Sequence, residues 1–130
     1  MKLLIDTQVF IWLTNSDNQL GSNTLQALQD TTNQVYISYF SFFEMAIKAS
    51  IGKLHYDSSI LDDLPKMGVE LVMPDEFLLR NYSIYNADNK DPFDNVLITV
   101  ARNEGYTLVT SDPKILTVRT QNLSLLDAKK

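Results

Sequence analysis

The sequence predicts an α/β fold in which a central parallel sheet lies between two layers of helices. Three observations carry that expectation. Short apolar or β-branched runs alternate along the chain with segments of helical periodicity. Pro and Gly, four of each, stand singly where one element ends and another begins. The 130 residues contain no repeat, low-complexity tract or linker, so one domain over residues 1–130 is expected.

Leu3-Leu4-Ile5 is a continuous apolar run, as in a strand buried on both faces. Thr7 to Leu13 reads as a helix with Val9, Phe10, Trp12 and Leu13 on its apolar side. Ser22 offers an N-cap for a second helix that turns Leu25 and Leu28 inward. Val35-Tyr36-Ile37 has strand composition. A third helix is predicted from Ser41 to about Ser50, stopped by Gly52. Ser58 to Leu64 forms a short helix ending near Pro65, Val69 to Met73 a strand, and Glu76 to Ile84 a helix. Asp91-Pro92 opens a helix that runs to Glu104, with Pro at the first helical position and Gly105 just past the end. Thr107–Thr110 is a strand, Pro113–Leu116 a helical turn, and Leu123–Leu126 a final strand.

Composition excludes several classes. The chain is 45% hydrophobic and 21% charged, the balance of a globular protein rather than a disordered one. No apolar run reaches the roughly 20 residues a membrane span needs, and Asp6 interrupts the N-terminus too early for a secretory signal. A cytoplasmic location is expected. Without cysteine there is no disulfide or thiolate metal site. The single histidine, His55, rules against a multi-His zinc centre and a Ser-His-Asp triad; it reads as a surface loop residue. No phosphate-binding Gly-Lys loop is present. Sixteen acidic against eleven basic side chains, net −5, argue against a basic nucleic-acid coat protein but not against a nuclease with an acidic, metal-loaded site.

In a parallel sheet with right-handed crossovers, all strand C-termini meet at one edge, where ligands bind. Asp6 follows the first strand and Asp112 the Thr107–Thr110 strand. Glu44 is expected in the first turn of the third helix, and Asp94 in the first turn of the helix opened by Asp91-Pro92. Each acid alone has a plainer reading. Ser41-Phe42-Phe43-Glu44 matches a capping box, Asp91 suits an N-cap, Asp94 sits well against the helix dipole, and Asp112-Pro113 fits a turn. Together, four acids from four distant segments meet at one edge without nearby basic partners, and Asp91 is a fifth candidate. Like charges so close oppose one another's ionisation, and a divalent cation removes the conflict. All-oxygen ligation selects Mg²⁺ or Mn²⁺. The residues thus point to metal-assisted phosphoryl chemistry.

The same segments resemble PIN-domain ribonucleases, in particular VapC-type toxins of toxin–antitoxin pairs. The likeness rests on Leu4-Ile5-Asp6-Thr7; on Ser41 and Glu44 followed by Ala46-Ile47-Lys48 and Gly52-Lys53-Leu54; on Asp91-Pro92-Phe93-Asp94 followed by Leu97-Ile98; and on Leu108-Val109-Thr110-Ser111-Asp112. It implies a PIN-like three-layer α/β/α fold and an Mg²⁺- or Mn²⁺-dependent endoribonuclease acting on single-stranded RNA. It implies Asp6, Glu44, Asp94 and Asp112 as the acidic quartet, with Asp91 and Thr110 in support. It also implies a homodimer blocked by a small VapB-like antitoxin. Gln8, Asn89 and Asn95 depart from the residues common at those positions, which bears on support of the site and on substrate choice.

Lys48, Lys53 and Lys90 are candidates for touching RNA phosphates, against the plainer reading of solvated lysines, and Lys48 can pair with Glu44 one turn away. Tyr39-Phe40-Ser41-Phe42-Phe43 is either core or an exposed patch for dimer or antitoxin contact, and Trp12 is core or interface. The competing function is a non-catalytic PIN-like binding module, favoured by Gln8, Asn89 and the acidic charge. A receiver-like signalling domain fits less well, since Asp6 lacks a paired acid and Lys114 is poorly placed.

Overall fold

A computed structural model describes residues 1–86 and 88–130. Its elements run β1 (Lys2–Ile5), α1 (Thr7–Thr14), α2 (Ser22–Gln29), β2 (Gln34–Ser38), α3 (Tyr39–Ser50), α4 (Ile60–Met67), β3 (Val69–Val72), α5 (Glu76–Asn81), α6 (Pro92–Glu104), β4 (Thr107–Thr110), α7 (Pro113–Leu116) and β5 (Ser124–Asp127). All strands pair in parallel, in the order β3-β2-β1-β4-β5. The chain first steps outward from β1 to β3, then returns to lay β4 on the other side of β1. That reversal places the switch point between β1 and β4.

Strand alternation sorts the apolar side chains into two cores. Leu3, Ile5, Val35, Ile37 and Val109 pack with Phe10, Trp12, Phe42, Met45 and Leu64 from the α1–α4 side. Leu4 and Leu108 pack with Leu78, Leu97, Ile98 and Ile115 from α5, α6 and α7. The sheet therefore has helices on both faces, the three-layer arrangement expected. Leu3, Leu4 and Ile5 have no exposed surface, which is why that strand is a continuous apolar run. Among the described residues no helix is long and apolar enough to cross a membrane.

Several boundaries differ from expectation, each for a physical reason. Helix α3 begins at Tyr39 because Ser38, not Ser41, is its N-cap, accepting the Phe40 amide at 3.1 Å. The capping box is not formed, and the buried Ser41 hydroxyl finds no partner among the described residues. Glu44 accordingly lies in the second turn of α3 rather than the first. Ser22 is the first residue of α2, and Gly21 precedes it without a side-chain cap. Leu25 and Leu28 are partly buried against the first core, and Thr24 is the buried residue of that helix. Helix α4 does not stop near Pro65 but continues to Met67 and ends on left-handed Gly68, φ 71°. Pro65 and Leu61 are exposed, so the helical bond that Pro65 forfeits lies on the solvent side. Helix α5 ends at Asn81, short of Ile84, because the chain must turn to give the Tyr85 amide to buried Asn95 Oδ1 at 3.1 Å. Strand β5 starts one residue late, in register with β4 through Thr107 and Ser124.

Gly21 is held against the last residues of the chain. Its amide donates to the Ala128 carbonyl at 2.8 Å, and the Asn23 amide to the Lys130 carbonyl at 3.0 Å. A Cβ at this position would overlap backbone atoms of Lys129 and Lys130. Gly21→Ala is expected to destabilise the protein by about 1–3 kcal/mol, the usual cost of overpacking, read as a lower urea midpoint at unchanged slope.

Candidate active site

A cleft of about 270 Å³ opens at the C-terminal ends of β1 and β4, lined by Asp6, Thr7, Gln8, Glu44, Lys48, Asp94, Leu97, Ser111 and Asp112. The topology explains the convergence. Asp6 and Asp112 leave adjacent strands at the switch point, while α3 and α6 bring Glu44 and Asp94 from opposite layers of the molecule. The four acids predicted from sequence thus share one cleft.

Each acid is held by the local fold. Asp6 is the N-cap of α1: its Oδ1 accepts the Val9 amide at 2.8 Å and its Oδ2 the Thr110 hydroxyl at 2.6 Å. The same Thr110 hydroxyl accepts the Asp112 amide at 3.1 Å, so one buried oxygen ties two acids together. Asp112 also caps α7, accepting the Lys114 amide at 2.9 Å. Glu44 Oε1 accepts the Thr7 hydroxyl at 2.7 Å, and Glu44 Oε2 stands 3.4 Å from Lys48 Nζ. Asp94 Oδ2 accepts the Asn89 amide group at 2.8 Å.

Burial is the main electrostatic fact of the site. It pushes the carboxyl of Asp6 up to about 6, against the lowering pull of Thr110 and the Val9 amide, with Asp112 and Glu44 adding repulsion. Burial likewise raises Asp94 to about 6, opposed by Asn89 and reinforced by Asp91, Asp112 and Glu44. These are oxygen donors whose ionisation is resisted first by burial and then by neighbouring acids, and a divalent cation would relieve that resistance. Among the described residues no three acidic or histidine side chains stand close enough to enclose an ion alone. The donors fit a hard cation held by one or two carboxylates that keeps several waters.

Other candidates fall elsewhere. Asp91 is exposed and outside the cleft lining; it is the N-cap of α6, accepting the Phe93 amide at 2.9 Å, the plainer role considered for it. Lys53, in the turn after α3, and Lys90, before α6, are exposed and do not line the cleft, whereas Lys48 does. His55 is an exposed loop residue and Trp12 is core. The aromatic run divides: Phe42 packs edge-on against Phe10, while Tyr39 and Phe43 are exposed.

Three supports have no role predicted from sequence. Thr7 is the residue after Asp6, and its grip on Glu44 spans 37 positions. Asn89 and Asn95 were noted only as departures. Asn95 is buried; its side-chain amide donates to the Asp91 carbonyl at 3.0 Å while its Oδ1 holds Tyr85. Asn95 thus holds Tyr85 and Asp91, which stand on either side of Asn89 in sequence.

Comparison with known proteins agrees with this architecture. The chain is similar in fold to VapBC2 from Rickettsia felis bound to a DNA fragment from its promoter, at TM-score 0.68 and 20% identity over 98% of each chain. It is similar to VapBC-1 from nontypeable Haemophilus influenzae, at TM-score 0.66 and 21% identity over 100% of each chain. It is also similar to a toxin–antitoxin complex from Klebsiella pneumoniae, at TM-score 0.65 and 15% identity over 97% of each chain. No curated protein sequence matches it. The family model described as the PIN domain matches residues 3–120, and the chain belongs to that family.

Proposed function

We propose that this protein is a divalent-metal-dependent endoribonuclease that hydrolyses single-stranded RNA, and that it is the toxin of a VapBC-type toxin–antitoxin pair. The observation that carries the nuclease reading is the cleft at the switch point, where Asp6, Glu44, Asp94 and Asp112 arrive from four segments. The toxin reading is supported by the toxin–antitoxin complexes among its fold neighbours.

Mg²⁺ or Mn²⁺ would be held in this cleft by one or two of Asp6, Glu44, Asp94 and Asp112 directly and by the others through its waters, and would supply a water of lowered pKa and neutralise charge developing on the phosphate. The chain's own residues fix the acids that do this. Val9 and Thr110 aim Asp6 by both of its oxygens, and Thr110 couples it to Asp112. Thr7 anchors Glu44 on the α3 side, and Asn89 restrains Asp94 on the α6 side. Preset oxygens of this kind lower the reorganisation needed when the phosphate arrives. A second copy of the chain and a small VapB-like antitoxin are the partners of this reading. We place protein contact on α3, where Tyr39, Phe43 and Ile47 lie exposed at four-residue spacing and Ile51 continues the line.

The purified protein is expected to cut unstructured RNA with Mg²⁺ or Mn²⁺ and to stop in EDTA. Absence of cleavage, with no heat on Mn²⁺ titration, would instead favour the binding module. Asn89→Ala is expected to slow cleavage about tenfold, the lower range for losing a group that orients a metal ligand. Its fold should persist, checked by circular dichroism.

A further inference from the structure

Among the described residues lining the cleft, Lys48 is the sole cation facing four carboxylates. Its pairing with Glu44 is lopsided. The Glu44 side chain is 17% exposed and its other oxygen is anchored by Thr7, whereas Lys48 is 48% exposed. The acid stays in place if the base swings away on its flexible four-carbon stem. A plain surface pair one helical turn apart would have no further business. This ammonium instead sits at the rim of a negatively charged cleft, where an RNA strand must bring its phosphates.

We propose that Lys48 is a substrate-binding residue that trades Glu44 for a backbone phosphate of single-stranded RNA, and that Lys48 and a divalent cation compete for Glu44 Oε2. This inference rests on the nuclease reading above. It predicts two effects of opposite sign from one substitution. Removing the ammonium loosens RNA, and it frees Glu44 for the cation. A lysine that serves only to steady α3 produces neither.

The test uses Lys48→Met, which keeps the stem and removes the charge. Binding of a labelled single-stranded oligoribonucleotide is followed by anisotropy over a salt series, with Mg²⁺, in an Asp94→Asn background that does not cut. Affinity should fall about tenfold, and the log–log salt slope should become shallower by about 0.7, the value for one phosphate contact on a single strand. Lys48→Arg should restore both. Titration calorimetry with Mn²⁺ on Lys48→Met alone should show affinity raised severalfold over the parent. Lys66→Met, whose partner Asp63 lies on α4 away from the cleft, should change neither reading. If the parent cuts RNA but Lys48→Met matches it in RNA affinity and salt slope, the Lys48 inference fails and the nuclease reading stands. Unchanged or weaker Mn²⁺ binding overturns the competition for Glu44. A parent that neither binds nor cuts RNA overturns both.

Discussion

Asp6→Asn is expected to lose RNA cleavage by at least about 10²-fold, the scale of removing one preset electrostatic group, and yet to melt at a higher temperature than the parent near pH 7. The two effects share one cause. Asp6 is buried to 8% exposure between β1 and β4, and its ionised form is opposed by desolvation and by Asp112 and Glu44. The amide is the same shape. Its oxygen can still accept the Val9 amide and cap α1, since Asn caps as well as Asp. Its NH₂ can donate to the Thr110 hydroxyl. The variant therefore keeps the local geometry and sheds a buried charge. A carboxyl raised from 3.8 to about 6 corresponds to a cost of order 3 kcal/mol at neutral pH, an upper figure for the gain. Asp94→Asn should show the same pairing with a smaller stability gain, because Asp94 is half-buried and solvent screens it. Cleavage assays and calorimetric melting on the same samples decide the matter. An Asp6→Asn protein that is inactive and also less stable would make Asp6 a structural cap; one that cuts RNA at the parental rate would remove it from the site.

Much of this arrangement was legible in the residues. Asp6 and Asp112 could be placed because an acid directly after a buried strand has a fixed position at the sheet edge. Asp94 could be placed because Asp91-Pro92 and Gly105 mark both ends of α6 through backbone chemistry, a capping carboxylate and a left-handed residue at φ 71°. Glu44 reaches the cleft on a helix that starts at Tyr39, two residues before the start expected at Ser41. Ser38 and Ser41 are both capable caps, and the choice fell to Ser38 because β2 runs straight into α3 without a loop. The Asn89–Asp94 bond was hidden for a different reason. It depends on how Tyr85 and Asp91 are held by buried Asn95, and no periodic pattern encodes such contacts. Lys48 is legible in the sequence both as a helix partner of Glu44 and as one of three lysines that could touch RNA phosphates. Its seat at the cleft rim became visible only when α3 was set against β1 and β4.

The raised carboxyls also set how stability should vary with pH in the metal-free protein. Folded Asp6 holds its proton more tightly than unfolded Asp6, so between about pH 4 and pH 6 the folded state carries more bound protons. Its contribution is then fully favourable below the unfolded value of 3.8 and is lost as pH rises through about 6. Asp94 acts in the same direction over the same window. Other groups titrate too, so the clean observable is the difference between parent and Asp6→Asn. In EDTA the two should melt together near pH 4, and the parent should fall behind progressively to about pH 7. Added Mg²⁺ is expected to bind the ionised form and to close that gap at pH 7, by an amount that grows with the logarithm of its concentration above Kd. It should do far less at pH 4, where Asp6 and Asp94 are protonated. A parent–variant gap independent of pH would mean that Asp6 is not the group titrating. A gap that opens with pH but ignores Mg²⁺ would mean that its charge is buried for some purpose other than holding a cation.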